Sequence, residues 1–294
     1  MSTPLSQLGE NAVLKRLLRQ LTTQAPMLTG PGDDCAVVPR DAQWDTLLKT
    51  DVVVEAVHFT RDTEPERVGH KALARAVSDI AAMGGIPEYA LITLLMHPER
   101  TVEYAEGIYR GINRLASRCG ISVAGGETSS LPYDGIVINI ALTGRVERGR
   151  AILRSGGRVG DIICVTGPLG GSFPSGHHLD FEPRLELARH FMAHGPVPTA
   201  MMDLSDGLAV DLPRLAAACG CGFTLDYSAI PCNPGSSTEQ AIGDGEDYEL
   251  LLTLAPADFE ALSHLDIPSP LFVIGTLSTN AENSLSRGWQ HFRA

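Results

Sequence analysis

The sequence predicts a mixed α/β (α+β) protein of two domains, with strands and helices alternating in both halves of the chain. Its 294 residues exceed the usual size of a single domain. Hydrophobic residues make up 44% of the chain, which is ample for a packed core in each domain. Segments rich in β-branched residues alternate with segments whose apolar residues recur at helical spacing, and this alternation indicates layers of strands and helices.

The first half begins with leucines at helical spacing, which predict an opening helix over residues 6–21. The β-branched residues of 47–59 predict a strand. An apolar face over 66–83 predicts a second helix, with Gly84-Gly85 as its stop signal. The remaining elements are a strand at Tyr89–Met96, a helix at Thr101–Arg118, and strands near Ile121–Ala124 and at Gly135–Val146.

The apolar pattern breaks near residues 148–156, so we predict domains at 1–150 and 151–294. Residues 232–239 are rich in turn-forming residues and predict an exposed loop. The elements predicted after the boundary are strands at Asp161–Thr166, Ala200–Leu204, Gly222–Asp226, Tyr248–Leu254 and Leu271–Gly275, and helices around 183–194, at Leu208–Cys219 and at Pro256–His264.

Charge and composition limit the classes of function. The 23 basic and 35 acidic residues give a net charge of −12, whereas non-specific binding to nucleic acid needs clustered Lys and Arg. No apolar run approaches the ~20 residues that span a bilayer, and no signal peptide is evident. We therefore expect a cytoplasmic protein with neither a nucleic-acid nor a membrane partner. The six cysteines lack zinc spacing and mostly fit small core residues, whereas for the Cys219-x-Cys221 pair a role in binding a soft metal stays open.

The most informative feature is a set of acidic segments beside glycine or small residues, each at the end of an apolar run. They are Gly32-Asp33-Asp34, Thr50-Asp51, Ser78-Asp79, Gly125-Gly126-Glu127-Thr128, Asp203-Leu204-Ser205-Asp206-Gly207 and Gly243-Asp244-Gly245-Glu246-Asp247. Mg²⁺ prefers oxygen ligands and is commonly shared with substrate phosphates. A negative protein that acts on a negative phosphate substrate also needs a cation between them. The set therefore indicates a multi-metal phosphate site.

Several of these segments alone also have an ordinary structural explanation. Asp34 fits a solvated turn, and Asp79 fits the polar face of a helix. Asp51 stands in a predicted strand, where it either faces water or needs a partner or a cation. Asp206 fits the N-cap of the following helix, whereas Asp203 points to the opposite face and has no such explanation. Their joint occurrence is what indicates a site.

Other phosphate-binding motifs are missing from the sequence. The chain has no Walker A loop and no protein-kinase motif set. The glycine-rich turn at 167–171 has no lysine, so a tight connection between a strand and a helix is favoured over a phosphate cradle. Any nucleotide phosphates must then be held through metal.

Taken together, the segments resemble those of the thiamine-monophosphate kinases, a family of the aminoimidazole-ribonucleotide-synthetase superfamily. The matching segments occur in family order over nearly the whole chain: residues 32–37, 50–59, 71–84, 125–128, 153–156, 202–208 and 245–250. The resemblance implies an N-terminal α/β domain whose sheet pairs with its twin in a homodimer to form a barrel-like core, followed by a C-terminal α/β domain. It implies that ATP and thiamine phosphate give ADP and thiamine diphosphate by direct in-line transfer with several Mg²⁺ ions and no side-chain nucleophile.

The resemblance also assigns residues by position. It implies a metal shell of Asp34, Thr50, Asp51, Asp79, Glu127, Asp203 and Asp206. It implies nucleotide contacts at Tyr109, Gly126, Glu127, Arg154 and Ser205. The implied contacts with thiamine phosphate are His58, Glu246 and Trp289, and an aromatic face such as that of Trp289 can stack on a cationic ring.

Two positions depart from the family pattern, and two other functions stay open. The family usually has Asp at position 127 and Ser or Thr at position 49, where this chain has Glu127 and Lys49. Lys49 either neutralises charge in place of an ion or points away, so the number of ions is open. The alternatives are a sister ATP-dependent synthetase of the superfamily and a non-catalytic binding paralogue. Cys35 within an apolar run weighs against the sister enzymes that use a reactive cysteine.

Overall fold

A computed structural model of the chain describes residues 3–22, 24–262, 264–279 and 285. Two five-stranded sheets with helices packed against them confirm the mixed α/β class. The first sheet uses residues 36–147 and the second uses residues 162–278. The division at residues 150 and 151 stays a prediction, which this arrangement supports.

The first sheet has the strand order β1-β2-β5-β3-β4. Its strands are β1 (Ala36–Pro39), β2 (Trp44–Val54), β3 (Ile86–Met96), β4 (Ser122–Ser130) and β5 (Ile136–Glu147). Strands β3 and β4 are parallel, and the other neighbours are antiparallel. The helices of this half are α1 (Glu10–Leu18), α2 (Pro65–Ala82) and α3 (Val102–Cys119).

The second sheet is antiparallel throughout and has the order β7-β9-β6-β10-β8. Its strands are β6 (Ile162–Val165), β7 (Ala200–Asp203), β8 (Gly222–Leu225), β9 (Leu250–Leu254) and β10 (Phe272–Ser278). The helices of this half are α4 (Ser172–Ser175), α5 (His177–Asp180), α6 (Leu185–His194), α7 (Leu208–Ala218), α8 (Thr238–Gly243) and α9 (Pro256–Leu262).

The elements differ from the sequence prediction mainly at glycines and short turns. The opening helix is shorter than predicted: a 3-10 turn precedes α1, which ends at Leu18. Strand β4 continues through Gly125-Gly126 to Ser130, because β3 pairs with it along this length. Helix α8 starts inside the predicted loop at 232–239, where Ser237 and Gln240 form a capping box.

Helix α2 lies between the two halves of the molecule. It packs against β2 and β5 of the first sheet and against β7 and α6 of the second half. One continuous apolar core joins residues of both halves, among them Val77 and Leu252. Because α2 has neighbours on both sides, it buries even its polar residues Lys71, Ser78 and Asp79. Buried charges need partners, and these partners define the site described below.

The face of the first sheet opposite α2 is open in the single chain, and we call it the open face. Leu48, Val52, Tyr89 and Leu91 expose between 39% and 53% of their surface there. Several of them line an apolar hollow of about 360 Å³. A contiguous apolar surface of this kind is typical of an interaction site. Within the described ranges, no helix has both the length and the hydropathy of a membrane span.

Candidate active site

Three buried carboxylates from distant parts of the chain meet beside α2, and we call them the acidic cluster. Asp34 precedes β1, Asp79 lies near the end of α2, and Asp203 ends β7. One carboxylate oxygen of each lies within 4.8 Å of the other two. The sequence predicted all three as metal ligands. An all-oxygen set of this kind suits a hard divalent cation such as Mg²⁺.

The carboxylates of the cluster disfavour one another's ionised forms. Burial, followed by the charge of Asp34, raises the pKa of Asp203 to about 6, although the hydroxyl of Ser78 donates a 2.8 Å hydrogen bond to it. Burial also raises the pKa of Asp79 well above its ordinary value, against the effect of Lys49. A cation placed among these oxygens would offset both effects.

Two side chains supply positive charge to the cluster. The Nζ atom of Lys49 lies 2.7 Å from Oδ1 of Asp79, so Lys49 points into the site and neutralises charge there. Burial lowers the pKa of Lys49, but the carboxylates of Asp79 and Asp51 outweigh burial and raise it. The Nη2 atom of Arg154 lies 2.5 Å from Oδ1 of Asp34. Arg154, predicted as a nucleotide contact, is thus fixed beside the oxygens of the acidic cluster.

A tight turn follows Asp203 and carries two more predicted residues, Ser205 and Asp206. The buried carboxylate of Asp211 accepts hydrogen bonds from the backbone N–H groups of Ser205 (3.1 Å) and Asp206 (2.9 Å). The side chain of Asp206 pairs with Arg214 at 3.0 Å, and no capping bond from it starts α7. The alternative of Asp206 as an N-cap is therefore wrong.

Gly207 lets a second loop approach this turn. Its φ of +93° is unfavourable for other residues, and a Cβ atom there would lie 2.5 Å from the carbonyl oxygen of Asp244. The second loop is held by backbone hydrogen bonds of 2.8 Å from Glu246 to Ser205 and 2.9 Å from Tyr248 to Leu204. Glu246 and Tyr248 have φ values of +65° and +52°. Left-handed conformations of such residues cluster at functional sites.

A pocket of about 350 Å³ opens beside the acidic cluster, and we call it the central pocket. Four of its lining residues, His58, Ser205, Asp206 and Glu246, were predicted from sequence. Arg75, Phe173, Asp244 and Tyr248 also line it and were not predicted as contacts.

Buried polar groups support the floor of the central pocket. The fully buried Lys71 donates to the carbonyl oxygen of His58 (2.5 Å) and to the carboxylate of Glu246 (2.8 Å). Burial lowers the pKa of Lys71 to about 8, partly opposed by Glu246. The backbone N–H of Val54 donates to Nδ1 of His58 at 3.0 Å. These bonds fix His58 and Glu246 at the pocket.

An aromatic surface forms one wall of the pocket. The ring of Phe173 stacks on that of His178 with centroids 4.1 Å apart and 10° between the planes, and Phe173 is 46% exposed. The imidazole of His178 is buried, which lowers its pKa and favours the neutral form. The Nζ atom of Lys71 lies 5.7 Å from the centroid of the Phe173 ring, and the exposed part of Phe173 offers an aromatic contact for a flat ring in the pocket.

The glycine-rich turn at 167–171 is held by protein carboxylates. The N–H of Gly170 donates to Asp247 at 3.0 Å, and the N–H of Gly171 donates to Asp244 at 2.9 Å. The turn connects β6 to α4, which agrees with a tight strand-to-helix connection. The three neighbouring acids at 244–247 are accommodated by these donors and by Lys71.

The structure divides the remaining predicted residues between two faces of the first sheet. Asp51 faces α2, and its Oδ1 atom lies 3.1 Å from Nη2 of Arg75. Thr50 lies on the open face and donates to Asn139 at 2.9 Å. Glu127 also lies on the open face, on β4, because the register Val52–Asn139–Thr93–Glu127 runs straight across the sheet.

Tyr109, Gly126 and Glu127 are not brought to the acidic cluster within one chain. Three strand spacings separate β2 from β4, which amounts to about 14 Å. Tyr109 lines a shallow hollow between α3 and β4 together with Val123. A Cβ atom on Gly126 would lie 1.8 Å from the carbonyl oxygen of Ile92. The close approach of β3 and β4 is therefore sufficient to explain a glycine at this position. Trp289 lies outside the described residues.

Comparison with known proteins supports the architecture. The model of the AIR synthase related protein N-terminal domain matches residues 32–146, and that of the C-terminal domain matches residues 158–285. The two models cover most of the chain, so the chain belongs to the AIR synthase related protein family.

Two curated relatives and one solved structure define the type of enzyme within this family. The chain is 36% identical over 278 residues to the thiamine-monophosphate kinase of Rhodopirellula baltica, covering 88% of this chain and 86% of the relative. It is 30% identical to that of Salmonella typhimurium, with 93% and 92% covered. The solved complex of AaThiL with AMPPCP and TMP has a TM-score of 0.86 and 29% identity, with 99% of both chains covered. These matches confirm the resemblance read from the motifs: the chain is an enzyme of the thiamine-monophosphate kinase type.

Proposed function

We propose that this enzyme transfers the γ-phosphoryl group of ATP to thiamine phosphate, which gives ADP and thiamine diphosphate. The observation that carries the proposal is the adjacency of the acidic cluster and the central pocket. Arg75 of the pocket lies one helical turn before Asp79 of the cluster, and Ser205 of the pocket follows Asp203 by two residues. A phosphate on a ligand of the pocket therefore lies next to a cation-binding group. The ligands of the solved AaThiL complex, AMPPCP and TMP, support both substrates.

We propose that Mg²⁺ ions bind at the acidic cluster. The residues fit the ion: three oxygen donors lie within 4.8 Å of one another, and burial together with their mutual repulsion raises the pKa values of Asp79 and Asp203. Bound Mg²⁺ would neutralise phosphate charge and align the two phosphates. Asp51 faces the same side of the sheet and is the next oxygen donor available. Because Lys49 already pairs with Asp79, we expect fewer ions than in a family member with a neutral residue at that position.

The residues of the chain itself bind and orient the substrates. Phe173 offers an aromatic face for a ring of thiamine phosphate, and the carboxylates of Glu246 and Asp244 suit its positive charge. Arg154 and Ser205 lie on the cluster side of the site, where nucleotide phosphates would arrive. No described side chain of the pocket needs to form a covalent intermediate, so we propose direct in-line transfer.

We propose a homodimer formed through the open face. Leu48, Tyr89 and Leu91 are exposed in the single chain, which favours burial of this face against a partner. Strand β4 lies at the edge of the sheet, where its unpaired backbone groups favour contact with another chain. A partner chain would also explain the position of Glu127, which lies on the open face, opposite the cluster of its own chain. The cytoplasmic location expected from the sequence stays a prediction.

The test of the function is incubation of the purified enzyme with Mg²⁺-ATP and thiamine phosphate, with product separation by chromatography. We expect stoichiometric ADP and thiamine diphosphate, both lost when the metal is chelated. Thiamine phosphate that binds without turnover would favour the non-catalytic paralogue. Turnover of another acceptor instead would favour a sister synthetase.

A further inference from the structure

The charge of the central pocket creates a problem for an anionic acceptor. The carboxylates of Asp206, Asp244 and Glu246 line it. Among its described lining residues, Arg75 is the sole guanidinium or ammonium group. Lys71 lies beneath the pocket, but it is fully buried and its ammonium is bonded to His58 and Glu246. Among the protein's own side chains that line this pocket, only Arg75 therefore offers a phosphate monoester a positive charge.

Arg75 is held in place by the first sheet. Its Nη1 atom donates to the carbonyl oxygen of Val52 at 2.8 Å, and its Nη2 atom lies 3.1 Å from Oδ1 of Asp51. Its buried Nε atom has no hydrogen-bond partner among the described residues. Each Nη nitrogen also carries a second N–H, and Arg75 lines the pocket, so the guanidinium can donate to a ligand while its orientation is already fixed. Such preorganisation lowers the cost of binding a ligand.

The position of Arg75 along α2 connects the two parts of the site. Residues four apart on a helix lie on the same face, so Arg75 and Asp79 face the same side. The guanidinium lies between Asp51, which faces the cluster, and Glu246 and Tyr248 at the pocket. A phosphate held there would lie at the end of the pocket nearest the cluster. The rings of the acceptor would then extend towards Phe173.

We propose that Arg75 binds the phosphate group of the acceptor and so sets both its orientation and the preference for a phosphorylated over an unphosphorylated ring compound. The proposal rests on the proposed function, because it takes thiamine phosphate as the acceptor. The planar guanidinium matches the geometry of phosphate oxygens and stays charged at every physiological pH.

The test compares the binding of thiamine phosphate and of thiamine by calorimetry, with Mg²⁺ present and nucleotide absent. For Arg75→Met we expect the affinity for thiamine phosphate to fall at least about tenfold, as for a lost hydrogen bond to a charged group, with the affinity for thiamine nearly unchanged. Arg75→Lys keeps the charge without the planar fork, so an intermediate loss is expected. The matched control is Arg118→Met. Arg118 is an exposed arginine on α3 that pairs with Glu182, and its loss should change neither affinity.

The outcomes separate this inference from the proposed function. Equal weakening of both ligands by Arg75→Met, or no weakening of either, overturns the role of Arg75 even when the wild-type enzyme makes thiamine diphosphate. Wild-type enzyme that neither binds nor converts thiamine phosphate overturns the function itself. If the melting curve shows that Arg75→Met does not fold, the affinities for thiamine phosphate and thiamine are compared in Arg75→Lys instead. A selective loss for thiamine phosphate then supports the role of Arg75, and equal or no loss overturns it.

Discussion

At the scale of single residues, the chemistry of Asp79 depends on the charges that surround it. It lies among three other acidic side chains, Asp34, Asp51 and Asp203, and its pKa is raised by burial against the effect of Lys49. A side chain in this position costs folding energy unless a cation compensates it. The sequence left open a simple polar helix face, and the structure excludes that alternative because Asp79 is only 5% exposed.

We predict that Asp79→Asn abolishes turnover and leaves the fold intact. The amide keeps the shape but not the negative charge that a divalent cation requires, and relief of the buried charge offsets the loss of the pair with Lys49. Single-turnover product formation should fall on the order of 100-fold or more. The melting midpoint should stay near that of the control Asp180→Asn, which changes an exposed carboxylate on α5. Turnover within about threefold of wild type would reject Asp79 as a ligand.

Lys49 allows a second test of the cluster. Its ammonium lies 2.7 Å from Asp79 and supplies charge that an ion would otherwise supply. We predict that Lys49→Met lowers the melting midpoint without metal and enlarges the rise in midpoint that Mg²⁺ produces without nucleotide. Lys49→Arg keeps the charge and should respond like wild type. If all three proteins show the same response to Mg²⁺, Lys49 does not compete with an ion.

At the scale of elements, periodicity predicted helices with a regular apolar pattern. It missed strand segments and side chains whose structure depends on a neighbouring element. Helix α2 was predicted within one residue at each end, because an 18-residue amphipathic pattern with a glycine stop is a strong local signal. The continuation of β4 through Gly125-Gly126 was missed, because glycine weakens a strand unless a neighbour such as β3 pairs with it. Arg75 and Lys71 were missed as site residues, since their partners lie 23 and 175 positions away. Asp211 was missed although its partners Ser205 and Asp206 lie close in sequence, because it fits an ordinary polar position of helix α7.

The turn after β7 gives the prediction at this scale. In Gly207→Ala the new Cβ would meet the carbonyl oxygen of Asp244 at 2.5 Å, so the two loops that form the central pocket must separate. The matched control is Gly220→Ala beyond α7, where φ is +67° and a Cβ meets no atom within 4 Å. Both variants should lose roughly 1 kcal/mol of stability from the positive φ. Gly207→Ala alone should also lose most of its turnover, and equal activities in the two variants would contradict the requirement for close contact of these loops.

At the scale of the whole molecule, the metal and nucleotide residues implied by the motifs fall into two separate groups. The acidic cluster, Arg154 and Ser205 lie beside α2, whereas Tyr109, Gly126 and Glu127 lie at β4. The motifs place both groups in one functional set but carry no information on which chain supplies each group. Glu127 lies on the other side of the sheet from the cluster, and its strand β4 is about 14 Å from β2, whereas Tyr109 lies on α3, which packs against α2. In the proposed homodimer, Glu127 of one chain would complete the site of the other chain.

This arrangement predicts complementation between two inactive variants. If each site uses Asp79 of one chain and Glu127 of its partner, a heterodimer of Asp79→Asn and Glu127→Gln contains one site with both carboxylates intact. Mixing the two inactive proteins under conditions that allow subunit exchange should therefore restore turnover, to roughly a quarter of the wild-type rate for equal amounts at random pairing. Sedimentation should show dimers of the 31.4 kDa chain, and Leu91→Lys on the open face should give monomers while Val159→Lys, at an equally exposed turn, should not. No recovery on mixing, with dimers and subunit exchange demonstrated, would mean that Glu127 does not act on the partner's site.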